Sequence, residues 1–192
     1  MGRNSRLIQY FNQQFGKDKS KNFKRARENF CQSLAAYSLL CYILQIKDRH
    51  NGNILVDIEG HIMHIDFGFF LSNAPGKGVK FERAPFKLTA EQVEVLGGNT
   101  SQKFAEYREL MKHGFLALQE HADKIIIIIE MMFLGQNDLP CFKGGELTIR
   151  DLKERFFPIG RKFTENECQR FVDSLIHESY ENWRTRCYDN FQ

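Results

Sequence analysis

Two short β-type runs, 54–58 and 61–65, flank Glu59-Gly60 in a chain that otherwise reads as helix and loop. This pair constrains the fold more than any other feature. Runs of this kind joined by a Gly-containing dipeptide read as a hairpin with a two-residue turn. A lone two-stranded ribbon is at best marginal in water, so it must pack on other elements. Polar side chains crowd it: Asp48, Arg49, His50, Asn53, His61, His64 and Asp66. Burying such groups without partners is costly. Either they satisfy one another or they meet a ligand.

With Glu59 and Gly60 as the turn, Ile58 is expected to face His61, Leu55 to face His64, and Asn53 to face Asp66. Side chains two apart share a face. Asn53, Leu55, Asp57, Ile62, His64 and Asp66 would then lie on one face. An amide oxygen and a carboxylate converge at the open end of such a hairpin. Oxygen ligands suit Mg²⁺, which takes few protein ligands and fills its shell with waters and substrate phosphates. Asp48 lies five residues before Asn53, across the Asn51-Gly52 turn, and can reach the same place. Zinc at His50, His61, His64 and Asp66 is the rival reading. Positions 61 and 64 point to opposite faces of a strand, and no cysteine completes a tetrahedral set, so zinc is disfavoured.

The flanking sequence is helical. Leu7, Ile8, Phe11 and Phe15 fall at helical spacing, with Gly16 as a stop. After a basic connector at 17–21, Phe30, Leu34, Tyr37, Cys41 and Leu44 make an apolar stripe across a helix at about 22–45. Residues 69–87 have no period and hold two prolines and two glycines, which predicts a long functional loop. Thr89 with Gln92, and Thr164 with Glu167, are spaced as capping boxes. Further helices are expected at about 103–119 and 123–134, and before Pro158. The fold class is therefore α+β, mostly α-helical, with a small β-hairpin.

A chain of 192 residues suffices for one domain or one lobe. A net charge of +3 is too small to argue for nucleic acid as a partner, yet does not oppose an anionic ligand or membrane. The five cysteines are scattered, with no CxxC pair, which suggests reduced, mostly buried thiols in a cytosolic protein. The isoleucine run 125–129 is far shorter than the ~20 apolar residues a membrane span needs, and is expected to form a buried helix.

Asp48-Arg49-His50 followed by Asn53, and 13 residues later Asp66-Phe67-Gly68, resembles the catalytic loop and DFG of the phosphatidylinositol 3-/4-kinases. AAYSLLCYILQIKDRHNGNIL, HIDFGFFLS, PFKLT, LPCF and TIRDLKERF extend the resemblance over most of the chain, toward the C-lobe of the type III beta 4-kinases. It implies the C-lobe of a protein-kinase-like lipid kinase domain over 1–192, with a catalytic loop at 47–53, DFG at 66–68 and an activation loop at 69–87. It implies that Asp66 and Asn53 hold Mg²⁺ or Mn²⁺ on ATP, and that Asp48 or His50 handles the proton of the inositol hydroxyl. Leu55 and Ile65 would line the adenine pocket. Lys77, Lys80, Arg83 and Lys87 would meet the lipid headgroup. Phe69 stands where 3-kinases acting on polyphosphoinositides often carry His, which favours phosphatidylinositol and position-4 chemistry. Trp183, Arg184, Arg186 and Tyr188 near the C-terminus suit a membrane interface or, more simply, packing on the lobe.

Fewer than 50 residues precede the catalytic loop, and they hold no Gly-rich phosphate loop. The family's N-lobe is thus expected outside this chain, which by itself is expected to be inactive. The expected activity of the whole protein is ATP-dependent phosphorylation of phosphatidylinositol at the 4-hydroxyl. Its expected place is the cytoplasm, peripheral on membranes, with the Golgi implied by the beta-type resemblance. The rival enzymes are a 3-kinase or a related Ser/Thr protein kinase. The rival from another class is an inactive kinase-fold binding module.

Overall fold

The computed structural model describes residues 6–73 and 84–180. Helix α1 (Arg6–Phe15) ends at Gly16, whose φ of 87° suits glycine. The Ser20 hydroxyl then donates to the Phe15 carbonyl at 2.9 Å and accepts from Phe23 N at 3.1 Å. One side chain thus closes α1 and caps α2 (Lys21–Leu44).

Helix α2 is the spine. It packs on α4 (Gln102–Glu120), with Tyr42 against Phe115, and its Phe23 and Phe30 meet Phe11 of α1 at 6.1 and 5.4 Å. Ser38 Oγ and the Tyr107 hydroxyl share a buried hydrogen bond of 2.9 Å between the two helices. Helix α7 (Glu165–Ser179) also packs on α4, where Arg108 grips Asp173 with bonds of 2.8 and 2.7 Å, and its Phe171 meets both Phe115 of α4 and Tyr42 of α2. Helix α3 (Ala90–Val95) lies against α1, and α5 (Ala122–Gly135) against α6 (Glu146–Phe156). Both capping boxes expected from sequence are formed, at Thr89/Gln92 and Thr164/Glu167.

The isoleucine run departs from expectation. Ile126 and Ile129 are buried, but Ile127 and Ile128 are 52% and 59% exposed. At 3.6 residues per turn, five consecutive isoleucines encircle the helix, and one packed face cannot cover them. No helix among the described residues is long and apolar enough to cross a membrane. Cys31, Cys41, Cys141 and Cys168 are free thiols and buried, while Cys187 lies outside the described residues.

The hairpin exists, but its register differs from the expected one. Strand β1 (Ile54–Val56) pairs antiparallel with β2 (Ile62–His64), with Ile54 opposite His64, Leu55 opposite Met63 and Val56 opposite Ile62. The loop has three residues rather than two. Gly60 N donates to the Asp57 carbonyl at 3.1 Å, and Asp57 N to the His61 carbonyl at 2.9 Å. Gly60 takes a φ of 90°, as three-residue loops with a left-handed last residue require. A Cβ there would also sit 2.7 Å from the Ala26 carbonyl of α2. The Asp57 carboxylate accepts from the Glu59 and His61 amides at 2.9 and 2.8 Å and fixes the loop from within. A slip of one residue reverses faces. Leu55 is therefore paired across from Met63 and not His64, and Asn53 falls opposite Ile65 and not Asp66. The buried face carries Ile62 and His64. It docks on α2 through Ile62 N to Ser33 Oγ, 2.9 Å, and through His64 stacked on Tyr37 at 4.3 Å.

Candidate active site

The site grows from the two chain segments that enter and leave the hairpin. Beyond α2, Gln45 turns the chain with a φ of 51°, and residues 47–49 then run beside 65–69. Lys47 N donates to the Phe69 carbonyl at 2.9 Å. Arg49, 2% exposed, donates from Nε to Lys47 O at 3.0 Å, from Nη1 to Ile65 O at 2.8 Å, and from Nη2 to Asp66 O. Its guanidinium also lies 5.6 Å from the centre of the Phe67 ring. Arg49 is thus a fastener of backbone.

Between those bonds lie the two aspartates. Asp48 has a φ of 63° and Asp66 a φ of 56°. Non-glycine residues visit this left-handed region rarely, Asp and Asn more readily than most. Such strain persists only where the surroundings over-determine it, and it concentrates at functional sites. Asp66 Oδ1 accepts from Gly68 N at 3.2 Å, which holds the exposed carboxylate over the turn.

Asn53 is 6% exposed, and its Nδ2 donates to the Asp48 carbonyl at 2.9 Å. With the amide nitrogen so used, the oxygen is the atom this side chain offers. Ile65 N donates to the Asn53 carbonyl at 3.0 Å, so Asn53 lies one residue from Asp66 across the ladder. The corrected register therefore keeps Asp48, Asn53 and Asp66 on one rim. One carboxylate and one amide oxygen fit Mg²⁺, which needs only one or two protein ligands beside waters and phosphates. No group of three His, Cys, Asp or Glu able to hold a metal occurs among the described residues.

His50 caps the short turn Asn51–Asn53, its Nδ1 accepting from Gly52 N at 3.1 Å. A neutral ring that accepts at Nδ1 carries its proton on Nε2. His61 pairs with Asp57 at 2.9 Å on the loop side of the hairpin. His64 sits apart, between Tyr37 and Cys41, whose Sγ is 3.6 Å from its Nδ1. Burial, with the charges of Arg49 and Lys87 nearby, pushes its pKa down to about 4. It is a neutral packing group. The three rings thus have separate surroundings.

Leu55 and Ile65, expected to line an adenine pocket, are 43% and 39% exposed on the solvent face of the hairpin. Met63 shares that face at 43%, and strand alternation alone could have singled it out two residues before Ile65. Lys77, Lys80 and Arg83 lie outside the described residues, as do Trp183, Arg184, Arg186 and Tyr188. Lys87 is described and is 5% exposed, with Nζ donating to Asn51 Oδ1 at 2.8 Å. It reaches into the catalytic loop. Lys47, 8% exposed, escaped the sequence reading because a lysine next to a turn reads as surface.

The family model for phosphatidylinositol 3- and 4-kinase matches residues 2–143. Phosphatidylinositol 4-kinase beta 2 of Arabidopsis thaliana is 51% identical over 190 residues, covering 97% of this chain and 16% of that protein. Phosphatidylinositol 4-kinase of Dictyostelium discoideum is 48% identical over 97% of this chain and 15% of its own length. Phosphatidylinositol 4-kinase beta of Xenopus laevis is 48% identical over 97% of this chain and 22% of its own length. The chain thus spans roughly a sixth to a fifth of the relatives it matches. The family match over residues 2–143, together with identity near one half along nearly the whole chain, places it in the phosphatidylinositol 3- and 4-kinase family.

Proposed function

We propose that this chain is the C-lobe of a 1-phosphatidylinositol 4-kinase. The whole protein transfers the γ-phosphoryl group of ATP to the 4-hydroxyl of phosphatidylinositol, giving phosphatidylinositol 4-phosphate and ADP. The observation that carries the reading is the pairing of residues 47–49 with 65–69, which sets Asp48 and Asn53 beside Asp66. Catalysis in this class is largely positioning and charge neutralisation.

In this reading 47–53 is the catalytic loop, 66–68 the DFG and 69–87 the activation loop. Asp66 and the Asn53 oxygen hold Mg²⁺ or Mn²⁺, which when bound neutralises charge on the ATP phosphates. Asp48 accepts the proton of the attacking hydroxyl as the new O–P bond forms. His50, with its proton on Nε2, is suited to donate toward the transferring group rather than to act as the base. Leu55 and Ile65, with Met63, offer an apolar platform for adenine. Lys77, Lys80 and Arg83 are proposed to meet the headgroup phosphate. An N-lobe in the whole protein completes the nucleotide site. The protein works peripherally on a cytoplasmic membrane face, with Golgi membranes the proposed location.

The test is an assay of the full-length protein with ATP, Mg²⁺ and phosphatidylinositol vesicles, with the position of the new phosphate identified. Phosphate at the inositol 4-position is the expected outcome. Phosphate at the 3-position, or transfer only to protein, overturns the reading. The 192-residue chain alone is expected to show no transfer.

A further inference from the structure

Lys47 and Lys87 sit where lysine is least expected, 8% and 5% exposed at the two edges of the catalytic loop. Burying an ammonium group is expensive, and an apolar side chain of similar size is often the more stable choice. The two side chains run in opposite directions. Lys47 opens the catalytic loop, and its Nζ donates to the Ala84 carbonyl at 3.4 Å. Lys87 lies just beyond Ala84, and its Nζ donates back to Asn51 Oδ1 at 2.8 Å. Each lysine thus reaches from its own segment into the other.

The segment 84–88 is also held from its far side. Phe86 N donates to the Ser179 hydroxyl at 3.3 Å, and Leu88 pairs in parallel with Tyr180 at the end of α7. The returning end of the activation segment is therefore fastened to α7 and, through two ammonium groups, to the loop that carries Asp48 and His50. Arg49 fastens the same loop toward Ile65 and Asp66, the metal side. The lysines fasten it to the segment 84–88.

We propose that Lys47 and Lys87 form a reciprocal clamp that sets the catalytic loop against the acceptor-binding segment, and so governs use of the acceptor rather than of ATP. They are positioning residues that act through Asp48 and His50. The proposal rests on the phosphotransferase reading above, and it reassigns Lys87 from headgroup contact to clamp. A long stem with a point donor suits spanning two segments. Reacting groups tolerate little displacement, since a shift of about 1 Å costs about 100-fold in rate.

The test uses the full-length protein with Lys47→Met, Lys87→Met and the double variant, assayed on phosphatidylinositol vesicles. kcat/KM for the lipid is expected to fall about 10- to 100-fold. KM for ATP should stay within about twofold. The double variant should lose no more than the worse single one, because members of one unit are not additive. Amide hydrogen exchange over 84–88 should quicken in each single variant while α2 and α4 keep their protection. Asn51→Ala, which keeps both charges but removes one acceptor of Lys87, should shift the lipid kinetics in the same direction as Lys87→Met even if the methionine variants fold poorly. Equal losses toward ATP and lipid overturn the clamp, and so does unchanged exchange with unchanged lipid kinetics. If the wild type proves to phosphorylate another acceptor, the 4-kinase reading fails. The clamp is then judged on the exchange data and on that acceptor's KM.

Discussion

In α4 and α7 polar groups sit where local chemistry puts them. Ser101 and Thr164 cap helix starts, Glu167 returns the capping bond, and Ser38 meets Tyr107 across a buried seam. Around 47–67 the same preferences are inverted. Asp48 and Asp66 hold left-handed backbone, Lys47, Arg49 and Asn53 are buried, and Leu55, Met63, Ile65 and Phe67 face solvent. Both regions belong to one well-packed lobe, so poor folding does not account for the difference. Local rules break where a surface is shaped for something the lobe itself does not supply. In the reading proposed here that something is nucleotide, metal, acceptor and the N-lobe.

The contrast can be attacked from either side. The largest stability effect is expected from Arg49→Met, which strands three backbone carbonyls that now share one guanidinium. Urea unfolding should show a loss of about 3 kcal/mol. Tyr107→Phe, which removes one buried bond from the helical body, should cost about 1 kcal/mol. Equal losses would break the comparison.

Acid should also separate the two regions. His64 has a pKa of about 4 in the folded chain, below the ordinary 6.5, so the unfolded chain takes up its proton first. Stability from neutral His64 is full above 6.5 and declines as pH falls from 6.5 toward 4, by up to about 3 kcal/mol. Glu167 is held at about 2, below its ordinary 4.5, by hydrogen bonds from Arg161 and then Thr164. Its contribution is full above 4.5 and fades between 4.5 and 2. His64→Phe should flatten the pH dependence of the urea midpoint in the upper window only. Unchanged slope there would contradict a buried neutral imidazole. The smallest effect belongs to Thr164→Ala, about 0.5 kcal/mol from one exposed cap, with no change in the pH 4–6.5 window.

Much of the lobe was legible because its signals are local. The stripe Phe30, Leu34, Tyr37 and Cys41 drew α2, and Thr89 and Thr164 announced two helix starts by chemistry that acts within four residues. The hairpin was legible as a hairpin, but its register was not. Asp57 and Gly60 build a three-residue loop by side-chain bonds and a close approach to Ala26, which lies far away in sequence. In the isoleucine run 125–129 no polar residue marks an outer face, so exposure of Ile127 and Ile128 left no trace in the pattern. That Asp48, Asn53 and Asp66 flank the hairpin was readable from their spacing, while the roles proposed for them rest on the family resemblance. The burial of Lys47 and Lys87 was not, since it depends on segments that meet only in the folded chain.

In the proposed function the rim of Asp48, Asn53 and Asp66 performs phosphoryl transfer. The most direct measurement is the lipid kinase rate of full-length protein carrying Asp66→Asn, taken beside its urea midpoint. A fall of at least about 1,000-fold is expected with the midpoint nearly unchanged, since Asp66 is exposed and its backbone carbonyl still serves Arg49. Unchanged lipid kinase activity in that variant would contradict that function.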